Sequence, residues 1–529
     1  MQGLFLLPLF HAWLGYYPFP GLENPYTLAS ALNGIIPIND AGGYYHGANL
    51  LLDQGSLNDW NTRRPLNAIL FAVRLWLTHD NFKMAQILQA LLCGISVLLV
   101  ASCIQQLFGK IAGWITFFIL FLFSAIFIPT TLSETLGLTL GSLSFVLLWE
   151  GIRRFQPWII GIGSMMLVVG LNARAGAFFI LPLLILWAGV MLKKNHDLNA
   201  KRAFAVLTII VGFLLGFLFN MTITYLYGDT KTGLNHSNFA QTLFGLVAGK
   251  NWQYAYEAYP NLNASEANTA RFIYQESIKL FLEHPWIFFL SIIHNLIATF
   301  KGCISFFSQH LPTAIFTRYL IQSLGASLLL WVIWRLKKVY RSFPTEISFI
   351  AIGLLGMLLS AAIIWQDGNF RVFAATVPFY AAAYGIAMHK KTSYVNEIQQ
   401  NNNQALKVAV FLSVMLLGSA LLIPTFFFHA KQEHLNDELK FHCRADELKI
   451  TSATLSHVPH FLLTWPASQF RSNMERELLR HKTIMLEMLK PELLKNKMAM
   501  ASIYDLTQQK DQLIIADIGL FQTKHKLIG

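Results

Sequence analysis

Charged side chains are scarce: lysine, arginine, aspartate and glutamate make up 13% of the 529 residues, against 54% hydrophobic ones and a mean hydropathy of +0.46. So few charges cannot coat a soluble core of this length, and the apolar surplus must face lipid. Cysteine is equally sparse, and Cys93, Cys103, Cys303 and Cys443 fall at no zinc or thiol-redox spacing. Cys93 and Cys103 sit inside apolar runs and read as packing residues, while a disulfide between Cys303 and Cys443 is left open. His46, His294 and His310 have no histidine four residues on, so none reads as a metal ligand. The start of the chain lacks a basic flank and an A-x-A-like cleavage site, so the apolar run 4–17 reads as an uncleaved first helix. No repeat is visible.

The net charge of +12 excludes little by itself, but its placement does. Nucleic-acid binding needs a basic face on a folded soluble domain. Here the charge lies in short breaks between apolar runs: Arg153-Arg154, Lys193-Lys194 with Lys201-Arg202, Arg335 to Arg341, and Lys390-Lys391. That is the pattern of the positive-inside rule. Runs long enough to span, at about 20 residues each, are expected at 84–108, 111–131, 135–152, 158–171, 177–192, 203–226, 320–334, 347–365, 372–388 and 408–428. With the opening run they make an all-α polytopic membrane protein of about eleven transmembrane helices over 1–428, N-terminus inside. Two apolar pieces, 66–77 with its Arg74 and 285–307 with His294 and Lys301, are expected as helices in the outer interface. The stretch 18–67 is then the first external loop and 227–307 the long external loop. The tail 429–529 is expected as a small external soluble domain, with a charged helix over 471–497 and a strand-like run over 512–521.

Only Lys and Arg set this sidedness, yet the polar groups at span ends converge on the outer face. They are Asp40 with Tyr44, Tyr45 and His46, then Arg63-Arg64, then Glu134 with Arg174, then Asp367 to Arg371. Ionisable groups at such places are costly to bury and mark functional sites.

In order and sidedness these groups resemble the GT-C superfamily of polyprenyl-phosphate-sugar glycosyltransferases, which includes protein O-mannosyltransferases and bacterial enzymes that place aminoarabinose on lipid A. The matching residues are Asp40-x-x-x-Tyr44, Leu50-Leu51-Leu52-Asp53-Gln54-Gly55, Arg64-Pro65-Leu66, Ser133-Glu134, Asn172-Ala173-Arg174 and Asp367-x-x-x-Arg371 running into Pro378. The resemblance covers about 40–388, and it implies a GT-C-like fold and an inverting transfer of a pentose or hexose. The donor would be a polyprenyl-phosphate sugar and the acceptor a hydroxyl on protein, lipid A or polysaccharide. By position Asp40 would be the general base, since a hydroxyl needs a carboxylate within hydrogen-bond reach to become a good nucleophile. Glu134 resembles the second acidic residue. A divalent ion, Mg²⁺ or Mn²⁺, stays open, with Asp40 and Glu134 as its ligands if one binds; no compact D-x-D occurs in the first loop.

Arginine suits the leaving phosphate because its planar fork binds oxygens bidentately. Arg174, Arg371, Arg63 and Arg64 are the candidates, with Lys250 as a fifth cation. Tyr44, Tyr45, His46, Asp367 and Asn238 are candidates for substrate contact. Each has a plain structural alternative: Asp40 and Glu134 as helix-start residues favoured by the dipole, Arg63 and Arg64 as snorkelling side chains, the tyrosines of 227–285 as a small core of their own. The competing function is a transporter or flippase, which would put its ionisable groups near the bilayer midplane. A non-catalytic scaffold is a third. The layout suits a bacterial inner membrane with a periplasmic site, and an endoplasmic-reticulum protein with a lumenal site would read the same way.

Overall fold

A computed structural model describes residues 2–13, 40–174, 176–191, 199–229, 233, 237–260, 265–305, 315–389, 404–428, 498–505 and 510–517. A 3-10 turn Gln2–Leu6 leads into α1 (Leu7–Trp13), and α2 (Asp40–Gln54), α3 (Asp59–Thr62) and α4 (Pro65–Leu77) follow. The bundle proper is α5 (Phe82–Phe108), α6 (Lys110–Phe127), α7 (Ser133–Arg153), α8 (Pro157–Ala173), α9 (Ile180–Met191) and α10 (Asn199–Tyr227). Three short helices, α11 (Phe239–Val247), α12 (Tyr254–Ala258) and α13 (Glu266–Glu283), precede α14 (Pro285–Ser305), α15 (Ile315–Tyr340), α16 (Pro344–Gly368), α17 (Val377–Ala387) and α18 (Gln404–Ile423).

Among the described residues, six helices are long and apolar enough to cross a membrane: Phe82–Phe108, Ser133–Arg153, Ala203–Tyr227, Pro285–Ile304, Pro344–Ile364 and Gln404–Phe428. The expected spans at 111–131, 158–171, 177–192 and 372–388 are also helical, but shorter than 18 residues in their apolar part. The last is short because the chain makes a 3-10 turn over Asn369–Phe373 and starts α17 late, with Pro378 in its first turn. Proline is tolerated there because the first amides of a helix have no internal partner.

α7 is the axis of the bundle, with every residue from Ser133 to Ile152 buried. Its Gly137 and Gly141 form a G-x-x-x-G face of the kind that lets helices approach closely in lipid. A Cβ on Gly137 would stand 3.0 Å from the Arg174 Cβ and 3.4 Å from that of Ala374, and one on Gly141 would meet the Ala375 backbone. Absence of side chains at these two positions therefore brings the end of α8 and the start of α17 against the start of α7.

Connections segregate to two ends of the bundle. At one end Asn67 Nδ2 donates to the Ala173 carbonyl at 2.6 Å, Gln86 Nε2 to that of Pro129 at 3.0 Å, the Thr131 hydroxyl to that of Ala41 at 3.1 Å, and the Leu57 amide to that of Tyr227 at 2.7 Å. At the other, Arg335 Nε donates to the Ala387 carbonyl at 2.9 Å, and the rings of Phe108 and Phe343 lie 5.1 Å apart beside His389.

One element differs from expectation. α4 forms where the interfacial helix was placed, but every residue from Pro65 to Leu75 is buried, among α2, α5, α8, α10 and α18. Arg74 misleads the hydropathy reading: it is buried, with its guanidinium over the Phe71 ring at 5.3 Å. α14 forms over most of the expected 285–307 and lays one narrow face on α16, with most of its surface exposed. Asn295 Nδ2 donates to the Ala362 carbonyl at 3.0 Å, and the Tyr380 hydroxyl donates to that of Cys303 at 3.2 Å. The reason is a buried stripe at helical spacing, Ser291, Asn295 and Thr299, backed by exposed Trp286, Leu290, Ile293 and Ile297.

Beyond residue 428 a β-hairpin is described, β1 (Met498–Asp505) antiparallel to β2 (Lys510–Asp517) with Met498 opposite Asp517. β2 covers most of the expected strand over 512–521. The expected helix over 471–497 and most of the expected domain 429–529 lie outside the described residues, as do residues 18–39 of the first loop.

Candidate active site

The start of α7, the end of α8 and the 3-10 turn before α17 each deliver one charged side chain to the same place. Glu134 lies in the first turn of α7 and has no exposed surface. Its Oε1 accepts from Arg371 Nε at 2.6 Å and Nη2 at 2.5 Å, and Arg174 Nε lies 3.6 Å from the same oxygen. These three residues are separated by up to 237 positions in sequence. Burial of such a cluster costs less than burial of its members singly, because each charge has its counterion.

Above the two arginines is a cavity of about 180 Å³ lined by Asp40, Tyr44, Trp60, Arg63, Arg64, Arg174, Asn238, Gln241, Trp252, Tyr256 and Arg371. Asp40 opens α2 and is exposed. Tyr44 follows one turn later, so the two share a face. Tyr44 is 4% exposed and its ring lies 5.1 Å from that of Trp60. α3 is fixed by Asn58, whose Oδ1 accepts from the Asn61 amide at 3.0 Å, and by Asn61 Nδ2 donating to the Gly43 carbonyl at 3.0 Å. That hold orients Trp60 and Arg63. Arg63 folds over the Trp60 ring at 4.4 Å and donates from Nε to the Trp60 carbonyl at 3.1 Å. Arg64 precedes Pro65 and is kept out of the helical region, which turns its side chain to the cavity.

The far wall comes from α11, α12 and α13, which pack around a small core of Ala240, Phe244, Ala255, Ala270 and Ile273. Tyr254 stacks on Phe244 at 5.8 Å and Tyr259 meets Phe272 at 5.0 Å, so these two tyrosines are core residues. Tyr256 is different: it faces the cavity, and burial together with the Glu266 and Asp40 carboxylates raises its phenol above the ordinary value of 10.0, against an opposing pull from Arg63. This cap is tied to the first loop through Glu266. The Ser237 hydroxyl donates to Glu266 Oε2 at 2.8 Å, and Arg63 Nη1 lies 3.9 Å from Oε1.

Of the candidates read from sequence, Asp40, Tyr44, Arg63, Arg64, Arg174, Arg371 and Asn238 line this cavity. Glu134 does not; it sits behind the two arginines. Tyr45 and His46 are not among the lining residues, because 100° per residue carries them round α2 away from Asp40. Tyr45 packs instead on Phe71 and Phe82, at 5.7 and 5.5 Å. Lys250, expected to meet phosphate, is exposed in the turn after α11 and is not in the lining either. The Asp367 side chain lies outside the described residues. Sequence reasoning did not single out Trp60, Gln241 or Tyr256. The usable signal was spacing: Gln241 lies three residues beyond Asn238, and Tyr256 four beyond Trp252, so each pair shares a face.

A divalent ion held by Asp40 and Glu134 does not fit this arrangement. The Glu134 carboxylate already faces two guanidinium groups, which oppose a cation, and among the described residues no three His, Cys, Asp or Glu side chains cluster as ligands.

No family profile matches the chain, and no curated protein does. Among solved structures it is similar to the crystal structure of an oligosaccharyltransferase from Archaeoglobus fulgidus in complex with Zn and sulfate, at 13% identity and a TM-score of 0.40. The match covers 81% of this chain and 52% of that one, so the chain spans about half the length of this neighbour.

Proposed function

We propose that this protein is an integral membrane glycosyltransferase of the GT-C type, moving a pentose or hexose from a polyprenyl-phosphate donor to an acceptor hydroxyl at the outer face. One observation carries the reading: a carboxylate and four arginines from remote segments of a charge-poor membrane chain line a single cavity at one end of the bundle. In the reaction Asp40 takes the proton of the acceptor hydroxyl as its oxygen attacks the anomeric carbon. The bond from that carbon to the phosphate oxygen breaks, and the electron pair leaves with the lipid phosphate. Arg371, Arg174, Arg64 and Arg63 bind that phosphate and stabilise the charge that grows on it. Amide and aromatic groups of the cap, Asn238, Gln241, Trp252 and Tyr256, face the sugar and the acceptor. A transporter of a lipid-linked substrate would gather its ionisable groups near mid-membrane, whereas Glu134, Arg174 and Arg371 stand at helix ends.

The test is mass spectrometry of envelope proteins, lipid A and surface polysaccharide from a bacterial strain lacking the gene, complemented with the wild type or with Asp40→Asn. Loss of a pentose- or hexose-sized increment, restored by the wild type alone, is the expected result. An unchanged glycan profile in every fraction, under expression conditions, would refute the reading.

A further inference from the structure

We infer that Glu134 is a positioning residue, reaching the substrate only through Arg371 and Arg174, whose guanidinium groups it holds at the cavity wall. This rests on the reading above, in which those arginines receive the lipid phosphate.

Three observations carry it. Glu134 is wholly buried and absent from the cavity lining, so its carboxylate cannot take a proton from an acceptor there. Its Oε1 engages one edge of the Arg371 guanidinium, through Nε and Nη2, while Arg371 remains 28% exposed and lines the cavity. Arg371 thus meets Glu134 and the cavity at once. The mount itself is rigid: Glu134 sits in the first turn of α7, buried along its whole length, where the helix dipole favours a carboxylate. Gly137, one turn on, lets the Arg174 Cβ approach α7 closely.

Long arginine side chains lose much rotamer freedom when fixed on a ligand. A buried anion that orders two of them beforehand removes that cost from the binding step, as supporting shells do for other preorganised sites. The carboxylate also keeps two like charges side by side without mutual repulsion. Glu134 therefore serves donor binding, and Asp40 serves the acceptor.

The experiment is a double-mutant cycle on the purified full-length chain in detergent, with farnesyl phosphate as the probe and inorganic phosphate as a second arm. Glu134→Gln keeps the shape and removes the charge, and it should weaken farnesyl phosphate about tenfold, as expected for coupled neighbours. Glu134→Asp should recover part of that loss, and it carries the test if Glu134→Gln does not fold. In the Arg371→Lys background, Glu134→Gln should cost clearly less than in the wild type, because the Arg371 share of the coupling is already broken and only Arg174 remains. Competition by inorganic phosphate at similar concentration would show a headgroup site, while a requirement for the prenyl chain would show a lipid site; both keep Glu134 in its role. Additive losses in the cycle, or unchanged affinity in Glu134→Gln, would overturn the inference. No binding of farnesyl phosphate by the wild type would instead overturn the donor reading beneath it.

Discussion

Asp40, Tyr44 and Tyr45 lie within six positions of one another, yet only the first two share a face of α2. Tyr44→Ala should therefore impair transfer, while His46→Ala should leave it near wild type, measured by glycan mass spectrometry of the complemented strain. Asp40→Asn, which removes the proposed general base, should lower the rate by about 10²- to 10⁴-fold without affecting membrane insertion. Tyr256 gives a pH expectation. Its phenol is raised above 10.0 by burial first and by the Glu266 and Asp40 carboxylates next, so the folded state holds this proton where the unfolded chain has lost it. Its contribution to stability is complete below pH 10 and is lost as pH rises beyond it; Tyr256→Phe should flatten that part of a thermal-melt profile. The arginines were legible in sequence because the positive-inside reading puts Arg174 and Arg371 on the outer side, against the charge bias. Trp60, Gln241 and Tyr256 were not, because aromatic and amide side chains are as common in a loop's own core, where Tyr254 and Tyr259 indeed lie.

Helices long enough to span were readable from hydropathy alone, since lipid rewards apolar length whatever the neighbours are. What hydropathy could not convey was which helix is wrapped by others. α4 carries an arginine and looks amphipathic, but its bed of five helices buries it completely from Pro65 to Leu75. α14 meets α16 through Asn295, while Trp286, Leu290, Ile293 and Ile297 stay exposed. The G-x-x-x-G face of α7 is the strongest test at this scale. Gly141→Val would drive a branched side chain into the Ala375 backbone, and an overpacked site of this kind costs about 1–3 kcal/mol. Gly189, whose Cβ would meet nothing within 4 Å, is the control: Gly189→Ala should be silent in detergent-melt assays, while Gly141→Val should melt earlier and lose phosphate affinity. Loss of affinity without any change in melting would separate the two effects and contradict the packing account.

At the scale of the molecule, charge bias and contact pattern agree on two chemically different ends, one with Glu134, Arg174 and Arg371, the other with Arg335, Phe343 and His389. Placing single cysteines at Asn251 and at Ser342, both exposed, in a chain otherwise free of cysteine should separate them. A membrane-impermeant thiol reagent added to intact cells should label the first, and the second only after permeabilisation; the reverse pattern would invert the topology. α11 to α13 close around an apolar cluster that is separate from the bundle's, and among the described residues Glu266 joins them to Arg63 of the first loop. A segment built that way can be exchanged like a cartridge. Natural variants, or designed chimaeras, are free to alter Asn238, Gln241, Trp252 and Tyr256 while the arginine floor stays intact, so that under the proposed function selectivity can drift without the phosphate-binding machinery having to be reinvented.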